Sequence, residues 1–273
     1  MATHGSAFPI AKLALNNNVP PILMASLRMG MVMLLLIPFW KFKIPDKKYL
    51  KSLILFSISM GVMVYVFMNL SLKHSSFISP IIIGAQLAVP FAVLLSAKMI
   101  GESISTKKWM YVILAFVGII IVFFDPELKN NLLGLFFASL MALFFAIAQV
   151  YSRQLKELSL IILNVYTGFF GFFVLIVVSF FVEGEVIINI KNINFDSWIL
   201  IIYQAVIVSL FAHMSMFYLY KFYTVGQIFP FYSLFPIFGI ILTFLIFGEI
   251  PSLLFFIGSI IVISSVILLQ KTK

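Results

Sequence analysis

The chain has 273 residues, of which 63% are hydrophobic and only 10% charged, with a formal net charge of +9. A soluble domain carries about 25% charged residues, so a water-soluble fold is excluded and lipid must be the solvent for most side chains. Cysteine is absent, which excludes a disulfide framework and a thiolate metal site.

A membrane-spanning helix needs roughly 20 apolar residues, so this length allows up to about ten spans with short loops. Charges and turn residues bound apolar runs that predict helices over 2–16, 19–39, 49–70, 75–99, 108–124, 131–152, 158–182, 197–220, 225–247 and 251–270. Helices satisfy their own backbone polar groups in lipid. The runs are too long and too uniformly apolar for barrel strands, which alternate. No room remains for a sizeable soluble domain. The start lacks a basic n-region, so no cleaved secretory signal is expected.

Ten spans put both termini on one side. That side holds thirteen of the eighteen Lys and Arg residues: Lys41, Lys43, Lys47, Lys48, Lys51, Lys98, Lys107, Lys108, Arg153, Lys156, Lys221, Lys271 and Lys273. The other side holds Lys73, Lys129 and Lys191, while Lys12 and Arg28 fall within spans. Positive residues concentrate in cytoplasmic loops, so both termini are expected in the cytoplasm and the protein in the cell (inner) membrane. The same rule accounts for the net charge without nucleic acid.

The chain also resembles itself. "AVPFAVLLSAKMIGESISTKKWMYVILAFVGIII" in the first half is echoed by "LFPIFGIILTFLIFGEIPSLLFFIGSIIVISSVIL" in the second. Pro90 precedes Glu102 by 12 residues and Pro236 precedes Glu249 by 13, and each stretch then enters a closing apolar helix. Five spans per half is an odd number, so the halves, 1–124 and 131–273, are expected in opposite orientations. Inverted repeats are common in secondary transporters, with the substrate near the midplane between them.

These residues carry a resemblance to the EamA-type members of the drug/metabolite transporter superfamily. The opening "HGSAFPIAKLALNNNVPPILMASLRM" is similar to that family's first two helices, with Gly5, Ser6, Lys12, Pro20, Pro21 and Arg28 in matching places. The pairs Gly101-Glu102 and Gly248-Glu249 match the family's Gly-Glu positions, one per half. The resemblance covers essentially the whole chain. It implies an all-α membrane protein of ten helices in two inverted five-helix repeats, moving small metabolites through a central cavity, commonly as an exporter of amino acids and their relatives. His4 departs from the pattern, standing where the family usually has Trp, with about half a helix less before it. Residues 2–16 span about 22 Å against a hydrocarbon core of about 30 Å. A truncated start would place His4 near mid-membrane.

Candidate substrate-binding residues follow along the chain. His4 and Ser6 open the first span. Lys12 lies within about one turn of its end, close enough to snorkel; with Arg153, its rough counterpart, it reads as an anchor ahead of an anion attractor. Arg28 lies about 12 Å below the nearer boundary. A charge at that depth costs about 2.5–3.5 kcal/mol on insertion scales and marks a functional site by default. Its guanidinium suits a carboxylate; the other reading is a cap on a neighbouring helix's carbonyls. No Asp or Glu lies inside a predicted span to pair with it.

Gly61, Tyr65 and Asn69 are spaced four apart and share one helical face, as do Ser209, His213 and Phe217 in the equivalent span. Two matched polar stripes suit a shared cavity. Ser26-x-x-x-Gly30 and Ser57-x-x-x-Gly61 are also small-residue patterns of close helix packing. Gln86, Gln149 and Tyr232 are polar groups inside spans, suited to orienting an amino-acid-like substrate or to bonding another helix. Glu102 and Glu249 read as helix closures or Lys partners ahead of substrate ligands.

No P-loop appears, nor a His-Glu-x-x-His or dense carboxylate cluster, so neither ATP hydrolysis nor metalloenzyme chemistry is suggested. No cofactor is expected, and no buried carboxylate is evident as a proton carrier. The partners expected are a small-molecule substrate and the lipid bilayer, in a monomer or homodimer. The leading expectation is a metabolite exporter working by alternating access. A multidrug or cationic-compound exporter would want an acidic cavity residue. An integral-membrane lipid-modifying enzyme would want a carboxylate or His cluster at one interface.

Overall fold

A computed structural model describes residues 1–40, 44–101, 103–215 and 234–272, the side chains of residues 100 and 213 excepted. The described residues are helical, with no strand among them. Among the described residues eight helices are long and apolar enough to cross a membrane: α2 (Pro21–Phe39), α3 (Lys47–Lys73), α4 (Ser79–Met99), α5 (Thr106–Phe123), α6 (Pro126–Gln154), α7 (Leu160–Glu183), α8 (Phe195–Ala212) and α10 (Leu253–Lys271). Two shorter apolar helices are described, α1 (Ala7–Asn16, after a short helical stretch over Ala2–Gly5) and α9 (Phe235–Phe247), and a six-residue helix, Val186–Lys191, lies between α7 and α8. Helices α1 to α10 agree with the sequence expectation to within a few residues; the expected spans 197–220 and 225–247 extend into residues 216–233, which lie outside the described set.

The helix ends have local chemical causes. Ser105, Ser159, Asn194 and Ser252 precede α5, α7, α8 and α10, each accepting a bond from a backbone amide of the first turn. Gly101 and Gly248 end α4 and α9 in the left-handed conformation (φ 77° and 66°), which an L side chain resists. α2 and α4 have no cap of their own. Each starts beside proline, Pro20-Pro21 and Pro80, and no local side chain accepts its first amides. Their partners come from elsewhere in the bundle.

Two stretches depart from α geometry. Ile58–Met63 in α3 and Gln204–His213 in α8 are π-helical. Bonds to the fifth residue widen the helix there, a feature frequent at functional sites.

α7 packs along α2, α10 along α5, and α6 along α3 and α4. Small residues set the distances. A Cβ on Gly118 would lie 2.9 Å from the Gly258 carbonyl oxygen, so α5 and α10 touch backbone to backbone. A Cβ on Gly61 would lie 2.5 Å from the Thr167 carbonyl oxygen, so Gly61 faces α7 and serves packing. Large side chains such as Phe181, Leu245, Leu253 and Phe195 point outward and are more than two-thirds exposed, surface that only lipid would cover.

Candidate functional site

A cavity lies among α1, α2, α3, α4, α6, α8 and α9. Most of its wall is apolar, including Phe8, Met60, Val64, Phe145, Val208 and Phe235. The polar groups on it are His4, Arg28, Tyr65, Gln86 and Gln149, and no Asp or Glu is among the described lining residues.

Arg28 is the one full charge among the described residues of this wall, and it is only 4% exposed. Its Nε donates to Ser209 Oγ at 2.9 Å and its Nη1 to Gln204 Oε1 at 2.7 Å. The guanidinium carbon sits 4.3 Å from the centre of the Tyr65 ring, a cation–π contact. Gln204 is itself fixed, donating from Nε2 to the Ala7 carbonyl at 2.6 Å. Arg28 is therefore held by two neutral side chains of α8 and one ring of α3. Its partners orient the fork without cancelling its charge, and Nη2 has no hydrogen-bond partner among the described residues. A buried cation with neutral partners and free donors suits a carboxylate or phosphate group, which a guanidinium meets in two parallel bonds.

The sequence candidates divide. His4, Arg28, Tyr65, Gln86 and Gln149 meet on the cavity wall. Ser6 does not reach it: its hydroxyl shares a 2.8 Å bond with the Tyr203 hydroxyl and donates to the Thr3 carbonyl at 2.9 Å. Asn69 lies one turn beyond Tyr65 and donates to the Pro21 carbonyl at 2.8 Å, tying α3 to α2 away from the cavity. Of the Gly61–Tyr65–Asn69 stripe only Tyr65 lines the space. Tyr232, Glu102, Phe217 and the His213 side chain lie outside the described residues.

Lys12 and Glu249 serve helix ends. Lys12 Nζ donates to the carbonyls of Leu72 at 2.6 Å and Ser75 at 2.7 Å, where α3 finishes. Glu249, only 7% exposed, accepts from the amides of Ile78 at 2.7 Å and Ser79 at 2.8 Å, where α4 begins. A carboxylate absent from the sequence reading does the same for α2. Glu183, at the end of α7, accepts from Ile22 at 2.7 Å and Leu23 at 2.8 Å. Glu183 and Glu249 fill the caps that the prolines leave open.

Sequence reading also missed Gln204. Its neighbour in function, Ser209, is five residues on, about 140° round an α-helix at 3.6 residues per turn. Only the π-helical stretch lets both face Arg28. The signal in the sequence was a lone amide inside the apolar run from Trp198 to Phe211.

A model of the EamA-like transporter family matches residues 1–124 and again residues 132–270. Twenty-four chains of solved structures are similar. One of them, described only as "Crystal structure of protein", is 14% identical over 97% of this chain and 94% of that one, with a TM-score of 0.59. That likeness is one of fold. No curated protein matches the chain.

Proposed function

Because the chain belongs to the EamA-like transporter family, a family of membrane transporters, we propose that it exports small metabolites bearing a carboxylate, amino acids and their derivatives foremost, through the cavity that Arg28 lines. The observation that carries this reading is the Arg28 guanidinium, buried on the cavity wall and held by neutral partners. Gln86 and Gln149 supply further donors and acceptors for a polar substrate, and the apolar wall takes its side chain.

The cycle in this reading is alternating access between two inverted five-helix halves, with ten helices in all. Three features support it. The family model matches twice. The π-helical stretches fall in α3 and α8, and the left-handed glycine caps end α4 and α9, each a pair that the repeat makes equivalent. Helices α2 and α7 pack together, as do α5 and α10, as counterparts across a twofold axis would. The imbalance of basic residues supports a cell (inner) membrane location with both termini in the cytoplasm.

Flux into proteoliposomes of labelled amino acids, nucleosides and organic cations tests the substrate class. Transport of at least one carboxylate-bearing solute, lost on Arg28→Gln in a folded protein, is expected. Flux confined to cations, untouched by that substitution, would overturn the reading.

A further inference from the structure

The caps on α2, α3 and α4 all lie at one end of the bundle. Lys12 from α1 holds the last carbonyls of α3, at Leu72 and Ser75. Glu249, just beyond α9, holds the first amides of α4, at Ile78 and Ser79. The turn between α3 and α4 is thus gripped at both ends by opposite charges from two other helices, which also attract each other across it. Asn131, at the start of α6, accepts from the Ser76 amide at 2.6 Å in the middle of the same turn. Beside it Glu183, from α7, holds the start of α2, and Asn17 donates to Ser197 of α8 at 3.1 Å.

This layer lies to one side of the cavity. Leu23 to Arg28 is five residues and Ser79 to Ala85 is six, so the seam lies about 8–9 Å beyond the cavity at 1.5 Å per residue. Between them Leu23, Leu72, Ile81 and Ile82 are fully buried. Each bond crosses between helices, most between residues of 1–124 and residues beyond 130. A cap of this kind suits a surface that must part and rejoin. It consists of a few charge-assisted bonds to helix ends, whose donors water takes over once the seam opens.

We propose that Lys12, Glu183 and Glu249 form the gate at this end of the bundle, and that breaking their six hydrogen bonds to backbone groups opens the cavity to that side of the membrane. The proposal rests on membership of a transporter family and is independent of the substrate.

The chain has no cysteine, so one thiol reports on the cavity. Met68→Cys places it on the cavity wall about one turn below Leu72. A membrane-impermeant maleimide is added to either face of sealed vesicles, with no transported solute present. In the background of Met68→Cys alone, reagent from the Lys12 side is expected to react slowly. With Glu183→Gln and Glu249→Gln added, the rate from that side rises at least tenfold while the rate from the other side falls or holds. If the double variant does not fold, Lys12→Gln, which frees the same turn from its other end, carries the same test. A folded variant with a lower melting temperature and unchanged labelling from the Lys12 side would make the three residues structural caps and overturn the gate. Since labelling needs no substrate, this failure is distinct from a failed flux panel.

Discussion

Arg28 donates to the amide oxygen of Gln204 across 2.7 Å, so the closest partner of a buried cation is neutral. A carboxylate in that place would cancel the charge of the guanidinium, but it would lose the bond that Gln204 Nε2 donates to the Ala7 carbonyl. Gln204→Glu is therefore expected to lower the melting temperature modestly while the protein still folds, and to weaken binding of a carboxylate-bearing substrate at least tenfold, about 1.4 kcal/mol. Equilibrium binding beside thermal melting checks both. Undiminished affinity would show that substrate does not meet Arg28.

Arg28→Gln is expected to abolish flux while the protein still inserts and folds. Arg28→Lys is expected to impair it, because an ammonium cannot bond Ser209 and Gln204 and also offer a planar fork to substrate. Losses of melting temperature and of flux that run in parallel for both variants would point to a structural arginine. Flux lost at an unchanged melting temperature points to a binding one.

The two candidates on α3 should separate. Asn69→Leu removes a bond to the Pro21 carbonyl and touches no cavity wall, so it should lower stability by about 0.5–1.5 kcal/mol and leave substrate affinity unchanged. Gln86→Leu, on the cavity wall, should weaken substrate binding. Equal effects on affinity from both would place Asn69 in the site.

Gly61→Ala forces a methyl to within 2.5 Å of the Thr167 carbonyl oxygen. Backbone cannot yield as a side chain end can, so α3 and α7 must part, at a cost of about 1–3 kcal/mol. A lower melting temperature in detergent is the expected reading. An unchanged one would mean that the two helices do not approach this closely.

Much of the fold was legible because lipid forces it. Uniformly apolar runs between charges leave helices as the only choice, and the span from Lys47 to Lys73 or from Leu253 to Lys271 could be placed by length alone. Arg28 was legible for the same reason, as a charge where charge is expensive. What stayed hidden depends on geometry that a regular 3.6-residue period does not carry. The Gln204–Ser209 pairing needs a π-helical register. The polar stripe through Asn69 assumed that one face meets one environment, whereas Tyr65 looks into the cavity and Asn69 onto Pro21. Glu249 read as a helix closure or a Lys partner without its helix being identified, and Glu183 drew no reading, because nothing local shows that a distant helix lacks its cap. The proline pair that opens α2 was the available clue: it removes amides from the chain's own first turn and leaves Ile22 and Leu23 asking for an acceptor.

That borrowed cap has a consequence for synthesis. Glu183 is made 161 residues after Ile22, and Glu249 is made 171 residues after Ile78. At about 5–20 residues per second, α2 waits on the order of 8–32 s for its acceptor, and α4 waits slightly longer. Until then the leading amides of both helices must be met by water, lipid headgroups or the insertion machinery. The first five helices are therefore held provisionally as they leave the ribosome, and a chain stopped near residue 131 would keep two bare helix ends that only the unmade half can close.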